Sequence, residues 1–285
     1  MKKRIAMFLA LTMLLALTAC GAKQAEQKEP EQTVNQQETP AEALPELLPA
    51  ESVEIAAETM EGRTPGGEYV LPEEVISMME WQWSGAVGLL AQEGDVAFYA
   101  LEGKESNPAL LCWDDLQAEF DWWYATPRAI EPELWVYDMD EDGEDEVVAD
   151  CYGGSGTGVS LEYIYVVERD GNSLTSFELP WAAVAEGLNA HLQTVSVNGK
   201  TYAALGRELV DITADLEGVK AEDVSICLGQ TAAYRPAETG LTCTFGVVAE
   251  GDGIPFLSCY VAEVEGEIRY ADGVFTLENL RLSDI

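Results

Sequence analysis

Seven of the nine side chains from Asp138 to Glu146 are acidic. Packed so closely they repel one another, and a divalent cation offsets that repulsion. The pattern D-x-D-x-D-G sets Asp138, Asp140 and Asp142 at positions one, three and five of a tight loop. Gly143, at position six, permits the sharp turn. Glu144 would offer its backbone carbonyl at position seven, and Glu146 at position nine would bind directly or through water. Calcium takes six to eight such oxygens, so a structural Ca²⁺ ion is the cofactor this loop implies. The bland alternative is an acidic turn that binds nothing. The EF-hand is excluded, because its bidentate Glu at position twelve is Ala149 here and its loop joins two helices.

The flanks of this loop read as strands, 134–137 before it and 147–151 after it. Further β-branched and aromatic runs at 96–101, 161–167 and 242–248 predict more strands. Asn198-Gly199 and Asp272-Gly273 supply the positive φ angles of tight antiparallel hairpins, and Asp170-Gly171 marks a third turn. Two short helices are expected. One starts near Pro72 and ends before Trp83. The other begins at Pro180, with Trp181, Val184, Leu188 and Leu192 on one face. The fold class is therefore mainly β and antiparallel, with two short helices. Of the tryptophans, Trp122 and Trp123 are neighbours that must point to opposite faces if they lie in a strand, which leaves one at a surface.

An acidic D-x-D-x-D-G loop between strands resembles the calcium loops of integrin-α-type FG-GAP repeats and the related VCBS repeats. The likeness extends over roughly residues 109–168. Phe120-Asp121-Trp122 with Thr126-Pro127-Arg128, the acidic loop, and Gly154-Ser155-Gly156-Thr157-Gly158 together resemble a group of exported proteins of Gram-positive, clostridia-like bacteria. The resemblance implies a β-propeller-blade-like module and no particular activity. One calcium loop is clear, whereas a closed propeller needs about four blades or more, so a partial or degenerate propeller or another antiparallel architecture is equally open. Arg128 is a candidate internal partner for the acidic loop.

The chain begins with Lys2, Lys3 and Arg4, then an apolar run over residues 5–17, then Leu17-Thr18-Ala19-Cys20. This is the layout of a secretory signal, and the run falls short of the about 20 apolar residues of a membrane span. Leu-Thr-Ala-Cys resembles the lipobox of bacterial lipoproteins. That resemblance implies cleavage after residue 19, acylation of Cys20, and a protein anchored in the cell membrane on its extracytoplasmic face. Residues 20–67 contain no Phe, Tyr or Trp but ten Glu, five Pro and five Gln, a composition that predicts a flexible tether. Within it, 52–60 is more apolar and predicts a first strand or helix. Residues 68–285 are expected to form one β-rich globular domain.

Removing residues 1–19 takes away three basic residues and no acidic one, so the net charge of −37 becomes −40. Such a surface repels nucleic acid, whose binding needs phosphate neutralisation, and repels anionic lipid, leaving the acyl anchor as the membrane contact. Cys112, Cys151, Cys227, Cys243 and Cys259 remain beyond the anchor. Their number is odd and no pairing is forced, and with His191 as the single histidine the usual zinc ligand sets are missing.

The glycine run 153–158 lacks the Lys of a P-loop and the spacing of a dinucleotide fingerprint, and a strand follows it. Ser155 misses the nucleophile-elbow spacing at Thr157. With no catalytic residue singled out, the sequence favours a non-enzymatic binding module for a protein or glycan partner. An extracytoplasmic polysaccharide hydrolase using paired carboxylates, and an accessory or sensor subunit of an envelope complex, are the alternatives.

Overall fold

A computed structural model describes residues 44, 47–101, 108–124, 130–216, 218–254 and 259–285. Cys20 and Arg128 lie outside the described residues. In chain order come β1 (Val53–Ala56), β2 (Glu58–Glu61), α1 (Met78–Ser84), β3 (Gly88–Glu93), β4 (Val96–Ala100), β5 (Ala109–Trp113) and β6 (Leu116–Phe120). Then follow β7 (Glu133–Tyr137), β8 (Glu146–Gly156), β9 (Val159–Asp170), β10 (Ser173–Glu178), α2 (Trp181–Asn189), β11 (Leu192–Val197), β12 (Lys200–Leu205) and β13 (Glu208–Asp211). A 3-10 turn at Ala221–Asp223 leads to β14 (Ser225–Pro236), β15 (Leu241–Glu250), β16 (Tyr260–Ala271) and β17 (Val274–Ser283).

The protein is mainly β. The largest sheet has ten strands, running β1-β17-β16-β15-β14-β9-β10-β2 with β8 and β7 attached beside β9. A four-stranded meander, β3-β4-β5-β6, and a three-stranded one, β11-β12-β13, complete it. Every pairing between these strands is antiparallel except β9 with β14. Among the described residues the sheets close into neither a barrel nor a propeller.

The β8–β9 hairpin sits between two apolar cores, which explains why the apolar run 147–149 does not alternate with polar residues. Val148, Ile164 and Val166 point into a core shared with α2 and β14–β17. Val147, Ala149, Cys151, Tyr165 and Val167 point the other way, into a core shared with α1 and β3–β6. A strand covered on both faces is apolar on both. Trp122 anchors the second core, stacked between Phe120 at 5.0 Å and Tyr165 at 4.8 Å, while its indole N–H donates to Ser176 Oγ at 2.9 Å. Its neighbour Trp123 is exposed, although the two lie just past β6 and not within a strand.

The predicted strands and the turns at Asn198-Gly199 and Asp272-Gly273 are all present, with positive φ at all four turn residues. Three details differ. The first helix starts at Met78 and includes Trp83, because Ser77 and Glu80 form a reciprocal capping box there. The second ends at Asn189, so Leu192 opens β11 instead of extending the helical face. The segment 52–60 is two strands: β1 pairs with β17 and β2 with β10, and Val53 and Ile55 are buried. Of the two alternatives for this segment, strand or helix, the structure has strands, and both belong to the largest sheet.

Candidate metal centre

The acidic loop joins β7 to β8. Its backbone is held by its own side chains. Gly143 N–H donates to Asp138 Oδ2 at 3.1 Å, Asp142 N–H to Asp140 Oδ1 at 3.1 Å, and Glu144 N–H to Asp142 Oδ1 at 2.8 Å. Gly143 has φ +96°, a conformation side chains disfavour, and it turns the chain as its position predicts. Met139 points inward and is buried in the larger core, which pins the loop's first turn to the domain.

These bonds use one oxygen of a carboxylate and leave the other. Asp138, Asp140 and Glu146 each present a carboxylate oxygen, and the three atoms lie within 4.8 Å of one another. Asp138 Oδ1 is buried and has no hydrogen-bond partner among the described residues. An orphaned carboxylate oxygen facing two more carboxylates is costly without a cation. The donor set is all oxygen, which suits a hard divalent ion.

Of the five expected ligands, the structure gathers these three. Asp142 and Glu144 stay at the rim, where their side chains line a recess of about 340 Å³. Glu146, expected to bind directly or through water, is the most buried of the three at 4 % exposure, and its Oε2 accepts Met139 N–H at 2.8 Å. Burial raises the Glu146 carboxyl; the Met139 N–H opposes this, and the charges of Asp140, Asp142 and Asp138 add to the rise, leaving it at about 7. Asp140 is raised for the same reasons, burial first, with Asp272 among the contributing charges.

The recess extends beyond the loop. Glu168 and Arg169 from the end of β9 line it, as does Asp272 from the β16–β17 turn. None of these was identifiable as part of the site from the sequence, since they reach it only through sheet pairing. Tyr270 O–H fixes Glu168 with a 2.5 Å hydrogen bond, and Arg169 is engaged by Asp114 at 3.0 Å and Asp115 at 3.2 Å.

The glycine run is a hairpin rather than a cradle. Gly156 pairs with Val159 across a two-residue turn. At Gly153 a Cβ would stand 2.1 Å from the ring of Tyr163, so the glycine makes room for that ring. The Trp123 indole N–H donates to Gly153 O at 3.1 Å. The five described cysteines are free thiols, with Cys151 and Cys243 buried. His191 lies at a separate recess beside Pro49, Ala50 and Gly206.

Comparison of the chain with protein-family models, with curated proteins and with solved structures returns no match.

Proposed function

We propose that loop 138–146 binds a divalent cation, with calcium the best fit, and that the ion is structural. It would tie the start of β8 to the end of β7 inside a β domain displayed on the cell envelope. The observation that carries this reading is the convergence of Asp138, Asp140 and Glu146, with Asp138 Oδ1 left without a partner. Asp142, the Glu144 carbonyl and water complete the proposed shell. Calcium suits a loop of this kind better than Mg²⁺, which demands a near-ideal octahedron and keeps several waters.

The domain is proposed to act as a binding module for a protein or glycan partner rather than as an enzyme. The strongly acidic surface favours cationic partners. The four-stranded meander β3–β6 supports the blade-like part of the reading, since propeller blades are four-stranded antiparallel sheets. Acylated Cys20 is the proposed anchor.

The test is thermal unfolding of the mature chain, first chelated and then with added Ca²⁺ or Mg²⁺. A dissociation constant of about 10⁻⁴–10⁻³ M gives about 0.4–1.4 kcal/mol at 1 mM calcium. For a domain of this size that is a rise of about 1–6 °C. A rise with Ca²⁺ that Asp138→Asn abolishes supports the site. No change with either ion rules it out.

A further inference from the structure

One edge of β9 is shared by two strands. Val159 and Ser160 pair in parallel with Gln230 and Thr231 of β14, while Tyr165 to Asp170 pair with β10. Between them the backbone ladder forks. Leu179 N–H reaches Ile164 O at 3.0 Å on one side of the fork. On the other, where β14 departs, the carboxylate of Glu162 accepts Tyr234 N–H at 3.0 Å. A side chain thus takes over where strand pairing stops.

Glu162 does not stand alone. Tyr152 pairs with Glu162 and Asp150 with Ile164, so Asp150 and Glu162 are diagonal neighbours on one face of the β8–β9 hairpin. Asp150 is 6 % exposed, and its Oδ1 is buried with no hydrogen-bond partner among the described residues. On that diagonal each carboxyl group lies within reach of the other's charge, and the Glu162 charge raises Asp150. Two carboxyl groups so placed, one of them buried, favour a proton on one member over two adjacent charges. The facing charges are few. Arg235 of β14 holds Nη1 at 3.9 Å from Asp150 Oδ2 and 3.8 Å from Glu162 Oε2, beyond hydrogen-bonding distance, and donates instead to Tyr234 O. Glu133 of β7 stands directly opposite Asp150. Tyr234 of β14 is buried with its phenol held neutral, and Cys151 follows Asp150 on the other face of β8.

We propose that Asp150 and Glu162 share a single proton, and that this proton keeps the fork between β9 and β14 closed. With the proton, the pair carries one negative charge, matched by Arg235, and Glu162 stays in place for Tyr234 N–H. Without it, two buried carboxylates and Glu133 confront one arginine, and the seam loosens. Burial and the neighbouring Glu162 and Glu133 charges hold Asp150 well above the usual carboxylate range, against the pull of Arg235. A raised group stabilises most fully below its unfolded value and loses that contribution as pH rises through its folded value. The seam is therefore tightest in acid and opens toward alkali.

The proposal is independent of the cation loop and predicts the same result with and without calcium. The test is a residue-resolved ¹³C carboxyl titration of the mature wild-type chain, with amide exchange of Tyr234 corrected for intrinsic rates. The pair is expected to release one proton above the ordinary range of about 4. Tyr234 opening should rise by up to about tenfold per pH unit until that release is complete. Asp150→Asn keeps a donor toward Glu162 but has no proton to lose, so Tyr234 protection should become independent of pH. Two ordinary titrations near 4 in the wild type would overturn the proposal. So would a Tyr234 protection that falls with pH in Asp150→Asn as it does in the wild type.

Discussion

Glu146 Oε2 accepts the Met139 N–H at 2.8 Å, so the residue that ends the acidic loop also closes its beginning. The same carboxyl is buried beside three other carboxylates and sits at about 7. Its two roles can be separated. Glu146→Gln keeps an acceptor for Met139 and removes the charge. We expect the chelated protein to be unchanged or slightly more stable, and the calcium-dependent rise in melting temperature to vanish. Glu146→Ala leaves the buried N–H unpaired and should cost about 1–3 kcal/mol in chelator, where no ion contributes. Urea unfolding of the three proteins in chelator and in calcium distinguishes these effects.

Gly153 and Tyr163 give a second prediction. Any Cβ at position 153 meets the Tyr163 ring at 2.1 Å, on a strand whose neighbours leave little room to move. Gly153→Ala should destabilise by about 1–3 kcal/mol, the usual cost of overpacking. The displaced backbone would also disturb the bond from the exposed Trp123 indole to Gly153 O. A lowered midpoint together with altered tryptophan fluorescence is the expected pair of readouts, and an unchanged midpoint would show that Tyr163 can rotate aside.

Much of this was legible in the sequence because the signals were local. Asn198-Gly199 and Asp272-Gly273 specify their hairpins through backbone preferences that need no tertiary context. The acidic loop announced itself by spacing, and Gly143 turns as its position demands. The start of α1 is also a local signal, set by the Ser77–Glu80 capping box and not by Pro72. What could not be read depends on pairing between distant strands. The apolar segment 52–60 signals a first strand or helix, but the choice of strand is made by pairing with β17 at the other end of the chain. The Asp150–Glu162 pair exists only in the register of β8 on β9, and Arg235 joins it only through the β14 crossover. Asp272 reaches the loop's recess by the same kind of long-range packing.

The anchoring proposal rests on Cys20 and is tested in cells. The intact protein should partition with membranes and incorporate labelled palmitate. Cys20→Ala should release it to the soluble fraction or leave the signal uncleaved. Each acyl chain contributes roughly 0.8 kcal/mol per buried methylene, so loss of lipidation on a mature chain of charge −40 leaves little to hold it at an anionic surface. Palmitate retained in Cys20→Ala would exclude this anchor.

Glu178 supplies the last prediction. It lies directly opposite Tyr165 on β9 and Glu58 on β2. Burial, then the Glu58 charge, raises its carboxyl to about 7. A raised carboxyl binds its proton more tightly in the folded state than in the unfolded chain. Its contribution is therefore complete below its ordinary value of about 4.3 and is lost as pH rises through about 7. Asp211 acts in the opposite sense. Hydrogen bonds from Lys200 and Thr213 lower it to about 2, so its small exposed contribution fades only in strong acid. The protein should thus melt at a higher temperature near pH 5 than near pH 8, unlike a domain held together by paired carboxylates. Glu178→Gln should flatten the curve between those values, mainly by raising stability at pH 8. If the melting temperature instead climbs steadily from pH 5 to pH 8, the buried carboxyls are ionised at little cost, and the packing around Glu178 admits more water than its burial implies.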